Sequence, residues 1–129
     1  TNILLSTLLP NELGVLSRAF CDQHIMKTAI TDFSLYTICI KAEHFHLETH
    51  IQDFVSELFE AVLSVIDTLP HDAIAYLTKK HDTALDFDDY FQYITAKKHG
   101  LALITFDKDF LSKSLDIPVF HPKHLLSHL

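Results

Sequence analysis

The segment from Asp86 to Phe106 constrains the fold more than any other part of the chain. Asp86 can cap a helix that runs to His99, and Gly100 directly after it can end that helix. The next residues, Leu101–Phe106, form a continuous apolar run of strand length. A helix followed at once by a fully apolar strand is typical of an α/β protein, in which helices cover a parallel sheet.

Apolar segments separated by polar turns continue this alternation in the rest of the chain. Neither a repeat nor a Gly/Ser-rich linker interrupts it, so we predict a single α/β domain over residues 1–129 with a mainly parallel sheet. The remaining predicted elements are a helix from a cap at Asn11 through about Gln23, a strand at Met26–Thr31, a helix from a cap at Asp32 to Ala42, an apolar core helix at Ile51–Leu69 that Pro70 stops, a short helix capped by Asp72, and an edge strand at Pro118–Phe120.

Charge and composition exclude some classes of function. The chain has 10 Lys and Arg residues and 17 Asp and Glu residues, which gives a formal net charge of -7. It therefore lacks the positive field of a dedicated duplex-DNA binder. With only 2 glycines, it has no Gly-rich loop of the kind that binds nucleoside triphosphates or dinucleotides. Cys21 and Cys39 lie in apolar surroundings, which predicts reduced, buried thiols. Because no apolar run is long enough for a membrane span, we expect a cytoplasmic protein with no membrane partner.

Acidic residues cluster at two places that a parallel sheet can bring together. Asp86, Asp88 and Asp89 open the predicted helix, and Asp107 and Asp109 follow the apolar strand. Ligands of such sheets gather beyond the carboxyl ends of the strands. Carboxylates held a few ångströms apart repel each other unless a divalent cation lies between them, and oxygen ligands favour Mg²⁺ or Mn²⁺. The pattern indicates a metal site at which water attacks a phosphate. The alternative is that the same acids only cap the helix and form a turn.

Histidines form a second group of candidate metal ligands. His46 and His50 are four residues apart, where two zinc ligands can share a helix face. The segment lacks the H-E-x-x-H order, so we interpret it as a His-rich helix end or loop. His121 and His124, near the end of the chain, are expected to be surface residues rather than ligands.

The stretch Leu85–Phe110, LDFDDYFQYITAKKHGLALITFDKDF, closely resembles the C-terminal half of PIN-domain ribonucleases, above all the VapC-like toxins of prokaryotic toxin-antitoxin pairs. That family shows an Asp opening a helix, an Ala-rich helix end, a Gly, an apolar strand and then T-x-D. Asp89 matches the helix-opening acid, and Thr105 and Asp107 match the hydroxyl residue and the acid after the strand. The first residues, TNILL, are similar to the family's D-T-N-x-L-L opening, with Asn2 matching its Asn.

This resemblance implies a three-layer α/β/α sandwich and a metal-dependent endoribonuclease that hydrolyses RNA phosphodiesters. It implies that Asp89 and Asp107 are catalytic and bind Mg²⁺ or Mn²⁺, with Asp109 as a neighbouring acid. Asn2 and Thr105 would orient these acids through hydrogen bonds. The implied partners are RNA, an antitoxin protein and a second copy of the chain in a homodimer. The positive charges available for RNA near the acids are those of Lys97, Lys98, Lys108 and Lys113.

The sequence departs from the family pattern at two acids. The family's first Asp is expected just before Thr1, at the end of a first strand that lies upstream of the sequence. The usual Glu on the helix after the second strand has no counterpart at residues 34–38, and Asp32 is the nearest substitute as a metal ligand. If both acids are absent, Asp89 and Asp107 alone hold a cation weakly. The alternative hypothesis is therefore a catalytically degenerate PIN-like binding or scaffold module.

Overall fold

A computed structural model of the chain describes residues 3, 11–24, 27–46, 52–53, 56 and 64–126, apart from the side chains of residues 79–83 and 109. The chain divides into two compact units. The first unit comprises Thr1–Asp67 with Leu126–Leu129, and the second comprises Thr68–Leu125. Each unit contains parallel strands and helices, and each is described by itself below.

The described part of the first unit includes two helices and a parallel strand pair. Its elements are α1 (Glu12–His24), β1 (Ala29–Thr31), α2 (Asp32–His44) and β2 (Ser64–Ile66). The Asn11 side chain accepts a hydrogen bond from the Gly14 N–H at 3.0 Å, which confirms the predicted cap of α1. The side chains of Phe20, Ile38 and Ala42 are buried in this unit.

The start of α2 differs by one residue from the prediction. Thr31, not Asp32, is the N-cap, because its extended backbone lets its hydroxyl oxygen accept from the Ser34 N–H at 2.9 Å. Asp32 is the first helical residue, where its carboxylate accepts from the Phe33 N–H at 2.7 Å and favours the positive end of the helix dipole. The helix continues past Ala42 to His44.

The predicted helix over residues 51–69 is wrong in its last part. Ser64–Ile66 is a strand that pairs in parallel with β1, in the register Ala29–Ser64, Ile30–Val65 and Thr31–Ile66. The β-branched residues Val65 and Ile66 fit a strand as well as an apolar helical stripe, and pairing with β1 decides between the two. Of the earlier part, the structure describes only residues 52, 53 and 56, which are helical.

Pro70 begins a helix rather than stopping one. The second unit consists of α3 (Pro70–Thr83), α4 (Phe87–Lys98), β3 (Leu103–Ile104), α5 (Lys108–Leu111), β4 (Val119–Phe120) and a 3₁₀ turn (Pro122–Leu125). Proline suits the first helical position, since its missing N–H has no partner there in any helix. Asp72 consequently lies in the first turn of α3 and is not its cap.

The helix and strand that carry the predicted acids form as expected, with a shorter strand. Asp86 caps α4 at one end, and Gly100 follows the other end with a φ of 64°, a backbone conformation that glycine adopts without strain. Only Leu103–Ile104 of the predicted strand pairs with β4, in parallel, with Leu103 opposite Val119 and Ile104 opposite Phe120. Leu101 and Ala102 are exposed and only lead into the strand.

A core of buried side chains fixes α4 next to β3. Leu85, Tyr90, Tyr93 and Phe110 are buried together, with partly buried apolar side chains packed around them: Tyr76, Ile94, Leu103, Leu115, Ile117 and Val119. Residues before, within and after α4 share this cluster with both strands of the second sheet. The packing therefore holds the N-terminal end of α4 within the same compact unit as the segment that follows β3.

The cysteines are free thiols, in agreement with the prediction, but they are not both buried. Cys21 is partly buried on α1, and burial together with the neighbouring Asp22 raises the pKa of its thiol to about 11. Cys39 is exposed on α2, which corrects the expectation of a buried side chain.

Candidate active site

The first group of acids begins α4. The Asp86 carboxylate accepts a hydrogen bond from the Asp89 N–H at 3.2 Å, as expected of an N-cap. Asp88 and Asp89 occupy the first turn, where their negative charge interacts favourably with the helix dipole. Asp86 and Asp88 are exposed, whereas Asp89 is half-buried.

The second acid, Asp107, directly precedes the short helix α5. Its carboxylate accepts from the Phe110 N–H at 3.4 Å, and its backbone carbonyl accepts from the Leu111 N–H at 3.0 Å. The Thr105 hydroxyl oxygen accepts from the Asp107 N–H at 3.0 Å, so Thr105 holds the main chain of this acid in place. Asp86 and Asp107 thus both make the capping contacts that are expected if these acids only cap helices and form turns.

Electrostatics show that the two groups of acids act on each other. The pKa of Asp89 is raised to about 6, first by burial and then by the negative charges of Asp86, Asp107 and Asp88. Asp107 belongs to a different segment, so its effect on Asp89 depends on the fold rather than on adjacency in sequence. The structure therefore brings together Asp89 and Asp107, the two residues on which the predicted site depends most.

The other predicted ligands have different positions. Asp32 begins α2 in the first unit, Asn2 lies outside the described residues, and Asp109 lies on α5 with its side chain outside them. Among the described residues, no group of three or more His, Cys, Asp or Glu side chains is arranged to hold a metal ion. His46 is exposed just beyond α2, where a helix end was expected, and His50 lies outside the described residues.

Two of the four candidate RNA-binding lysines are held in ion pairs. Lys97 lies 2.6 Å from one carboxylate oxygen of Asp116, and the other oxygen accepts a hydrogen bond from the Tyr93 hydroxyl. Lys98 donates to Asp72 at 2.5 Å. Lys108 is exposed directly after Asp107. It makes no ion pair within the part of the chain that the structure describes, and neither does the partly buried Lys113.

One ring contact beside the Asp107 segment was not predicted from the sequence. The ring of His121 lies 5.1 Å from that of Phe106, the residue just before Asp107. The signal for this contact is present in the sequence, because His121 follows β4 as Thr105 and Phe106 follow β3, and parallel strands end at the same edge.

The comparison with known families decides the classification. The family model that describes the PIN domain matches residues 1–114, which is most of the chain and includes residues of both units. The chain belongs to the PIN-domain family. The PIN domain is an α/β fold, and the parallel strands described above are consistent with a PIN-like sandwich, so the predicted fold class is confirmed. No curated protein and no solved structure gives a significant match.

Membership in the PIN family indicates nuclease-type function. PIN nucleases act on RNA, and they typically use divalent metal ions. Among the described residues of this PIN domain, no helix is both long enough and apolar enough to cross a membrane.

Proposed function

We propose that this PIN domain is an endoribonuclease that hydrolyses RNA phosphodiesters with Mg²⁺ or Mn²⁺. The observation that supports it best is the convergence of Asp89 and Asp107 in a chain that the PIN family model matches. Capping alone explains each acid separately, but it does not require Asp107 to lie close enough to raise the pKa of Asp89. Accumulated negative charge around a half-buried carboxylate is typical of a site that a cation neutralises.

The residues fit a divalent cation of the Mg²⁺ type. Such a cation needs only one or two carboxylates from the protein, because it retains several waters. Asp89 and Asp107 would hold it, with Asp109 as a further proposed ligand of the same unit. Asp32 is a proposed ligand by its match to the family pattern alone. When bound, a divalent cation neutralises these carboxylates and lowers the pKa of a bound water toward neutrality. Asp86, Asp88 and Asp107 are exposed, so an RNA phosphate would reach the cation from solvent.

The supporting residues act by orienting the acids. Thr105 fixes the main chain of Asp107 through its hydroxyl, and Asp86 fixes that of Asp89. A carboxylate whose backbone is held loses less conformational freedom when it binds a cation. Asn2 is proposed as a further hydrogen-bonding residue by its match to the family opening.

The biological role that we propose is that of a VapC-like toxin. Its partners would be RNA, an antitoxin protein that inhibits it, and a second copy of the chain in a homodimer. We propose that it works in the cytoplasm as a single domain over residues 1–129. The support for this role is the order and spacing of TNILL, Asp89 and the T-x-D at Thr105–Asp107.

The test is cleavage of a mixed panel of structured and single-stranded RNAs by the whole chain, with Mn²⁺ or with EDTA. Asp107→Asn and Asp89→Asn should abolish metal-dependent cutting, since each removes a proposed ligand. Asp116→Asn is the matched control, because it removes a carboxylate of the same unit that is paired with Lys97. If the control loses activity equally, or if cutting persists in EDTA, the proposed site is wrong.

The second candidate function is a catalytically degenerate PIN-like binding or scaffold module. The observation in its favour is that Asp86 and Asp107 both make capping contacts within their own segments. This candidate predicts that the folded wild type leaves the whole RNA panel intact with Mn²⁺.

A further inference from the structure

We propose that the rings of Phe106, His121 and His124 form a platform on which a base of single-stranded RNA stacks beside the acids. We call these three residues the ring cluster. The inference rests on the proposed function, because it assigns the RNA-binding surface of that same site. It names the chemistry that the ring cluster recognises, which is the π-face of a nucleobase.

The three rings form a continuous row. The centroids of Phe106 and His121 are 5.1 Å apart, with an angle of 66° between the ring planes. Those of His121 and His124 are 5.9 Å apart, with an angle of 60°. Phe106 and His121 are half-buried and His124 is exposed. The row is thus anchored at one end and accessible to solvent at the other.

The strand pairing places the row at the edge where the acids lie. The Thr105 N–H donates to the Phe120 carbonyl at 3.0 Å, so the chain after β3 runs beside the chain after β4. Phe106 directly precedes Asp107, and neighbouring Cα atoms are about 3.8 Å apart. A nucleotide bound at Asp107 therefore lies one residue along the chain from Phe106, the first ring of the row.

The chemistry favours a nucleobase as the occupant. Proteins read flexible single-stranded RNA by stacking its bases on Phe, Tyr and His rings and by binding its phosphates with cations. The exposed cations Lys108 and Lys123 flank the segments that carry the rings. The pKa of His121 is lowered by burial and by the charges of Lys123 and His124, which favours the neutral ring at neutral pH. A neutral imidazole stacks without needing a charged partner.

His121 also has a structural role, which the test must separate from stacking. Its Nδ1 accepts a hydrogen bond from the Lys123 N–H at 3.1 Å, at the start of the 3₁₀ turn Pro122–Leu125. His121→Asn keeps a hydrogen-bond acceptor and loses the ring. His121→Phe keeps a ring and loses the acceptor. The exposed N–H of Lys123 can then donate its hydrogen bond to water. The two variants form a matched pair.

The experiment measures the affinity of the whole chain for two fluorescein-labelled probes in EDTA, where cutting is suppressed. One probe is single-stranded RNA of about eight nucleotides, and the other is a base-free ribose phosphate oligomer of the same length. His121→Asn should weaken RNA binding roughly 5- to 150-fold, as loss of one stacked base does. His121→Phe should keep most of the affinity, and neither variant should change binding of the base-free probe.

Three results would overturn the platform. These are RNA affinity that is unchanged in His121→Asn, an equal loss of affinity for the base-free probe, and a wild type that binds no RNA. If His121→Asn fails to fold in a thermal melt, His124→Asn carries the same test at an exposed ring. A wild type that binds RNA through the rings but cuts none with Mn²⁺ contradicts the proposed nuclease activity and does not contradict base stacking on the ring cluster. The failure of one proposal is therefore distinguishable from the failure of the other.

Discussion

The N–H of Asp89 donates a hydrogen bond to the carboxylate of Asp86 at 3.2 Å, which joins the acid that caps α4 to the acid proposed to hold the cation. This contact separates two effects of the Asp86 side chain. Asp86→Ala should lower the free energy of unfolding by about 1 kcal/mol, because the helix loses its cap. Asp86→Asn should cost little, since asparagine caps a helix equally well. Urea denaturation at neutral pH measures both values.

The charge of Asp86 has its own readout. Because that charge helps to raise the pKa of Asp89, Asp86→Asn should lower the pKa of Asp89 below about 6. A carboxyl titration followed by NMR measures this shift. A pKa of Asp89 that does not move would show that Asp86 acts on the helix alone.

The raised pKa of Asp89 predicts a specific dependence of stability on pH. The pKa is about 6 in the folded state, against an ordinary value of 3.8 for an aspartate, so the folded chain binds this proton more tightly than the unfolded chain does. The protonated Asp89 side chain contributes fully to the free energy of unfolding below pH 3.8, and this contribution is lost as the pH rises through about 6. Asp89→Asn mimics the protonated acid, so it should be more stable than the wild type above pH 6, with the difference shrinking as the pH falls. Thermal melts across that range, without divalent cations, give the measurement.

Asp116 supplies a control of opposite sign. Hydrogen bonds from Lys97 and Tyr93 lower the pKa of Asp116, so its ionised form stabilises the folded chain. Asp116→Asn should be less stable than the wild type above pH 4, near the ordinary pKa of 3.8, and the difference should vanish as the pH falls further. Identical pH profiles for both variants would contradict the assignment of these shifts to local contacts.

Much of the fold follows from local sequence signals. The caps at Asn11 and Asp86 and the helix end at Gly100 depend on side chains within a few residues, and all three were predicted correctly. Ser64–Ile66 was wrongly assigned to a helix, because its apolar pattern fits either element. Only pairing with the distant strand β1 makes it a strand.

The candidate site shows the same division. Convergence of Asp89 and Asp107 was predictable, because both lie where parallel strands and their helices meet. The pairing of Lys97 with Asp116 was not, because the acid comes from a later segment that is placed by its neighbours Leu115 and Ile117, which pack against the buried cluster. Sequence reasoning therefore located the acids but could not tell which lysines are available to RNA.

The buried Asp72 predicts a stabilising ion pair. Its carboxylate accepts a hydrogen bond from Lys98 at 2.5 Å, and this contact joins α3 to α4. The same carboxylate lies 3.6 Å from the ring of His71. Lys98→Met should lower the free energy of unfolding by about 2 kcal/mol, because it leaves a buried carboxylate without its main cation. The double variant with Asp72→Leu should recover part of the loss, as both charges are then removed. Urea denaturation of the single and double variants tests this coupling, and additive losses would show that the pair contributes little.

Lys108 predicts how RNA affinity depends on salt. It is exposed next to Asp107, so we expect it to contact a phosphate of the bound strand. Lys108→Gln should weaken binding of single-stranded RNA at low salt and reduce the slope of log affinity against log salt by about 0.7, which corresponds to one phosphate contact. Lys97→Gln is the matched control, because Lys97 is already paired with Asp116 and its loss should leave that slope unchanged. Fluorescence anisotropy at several salt concentrations in EDTA measures both slopes. If the slope falls for Lys97→Gln and not for Lys108→Gln, the RNA lies along α4 instead of beside Asp107.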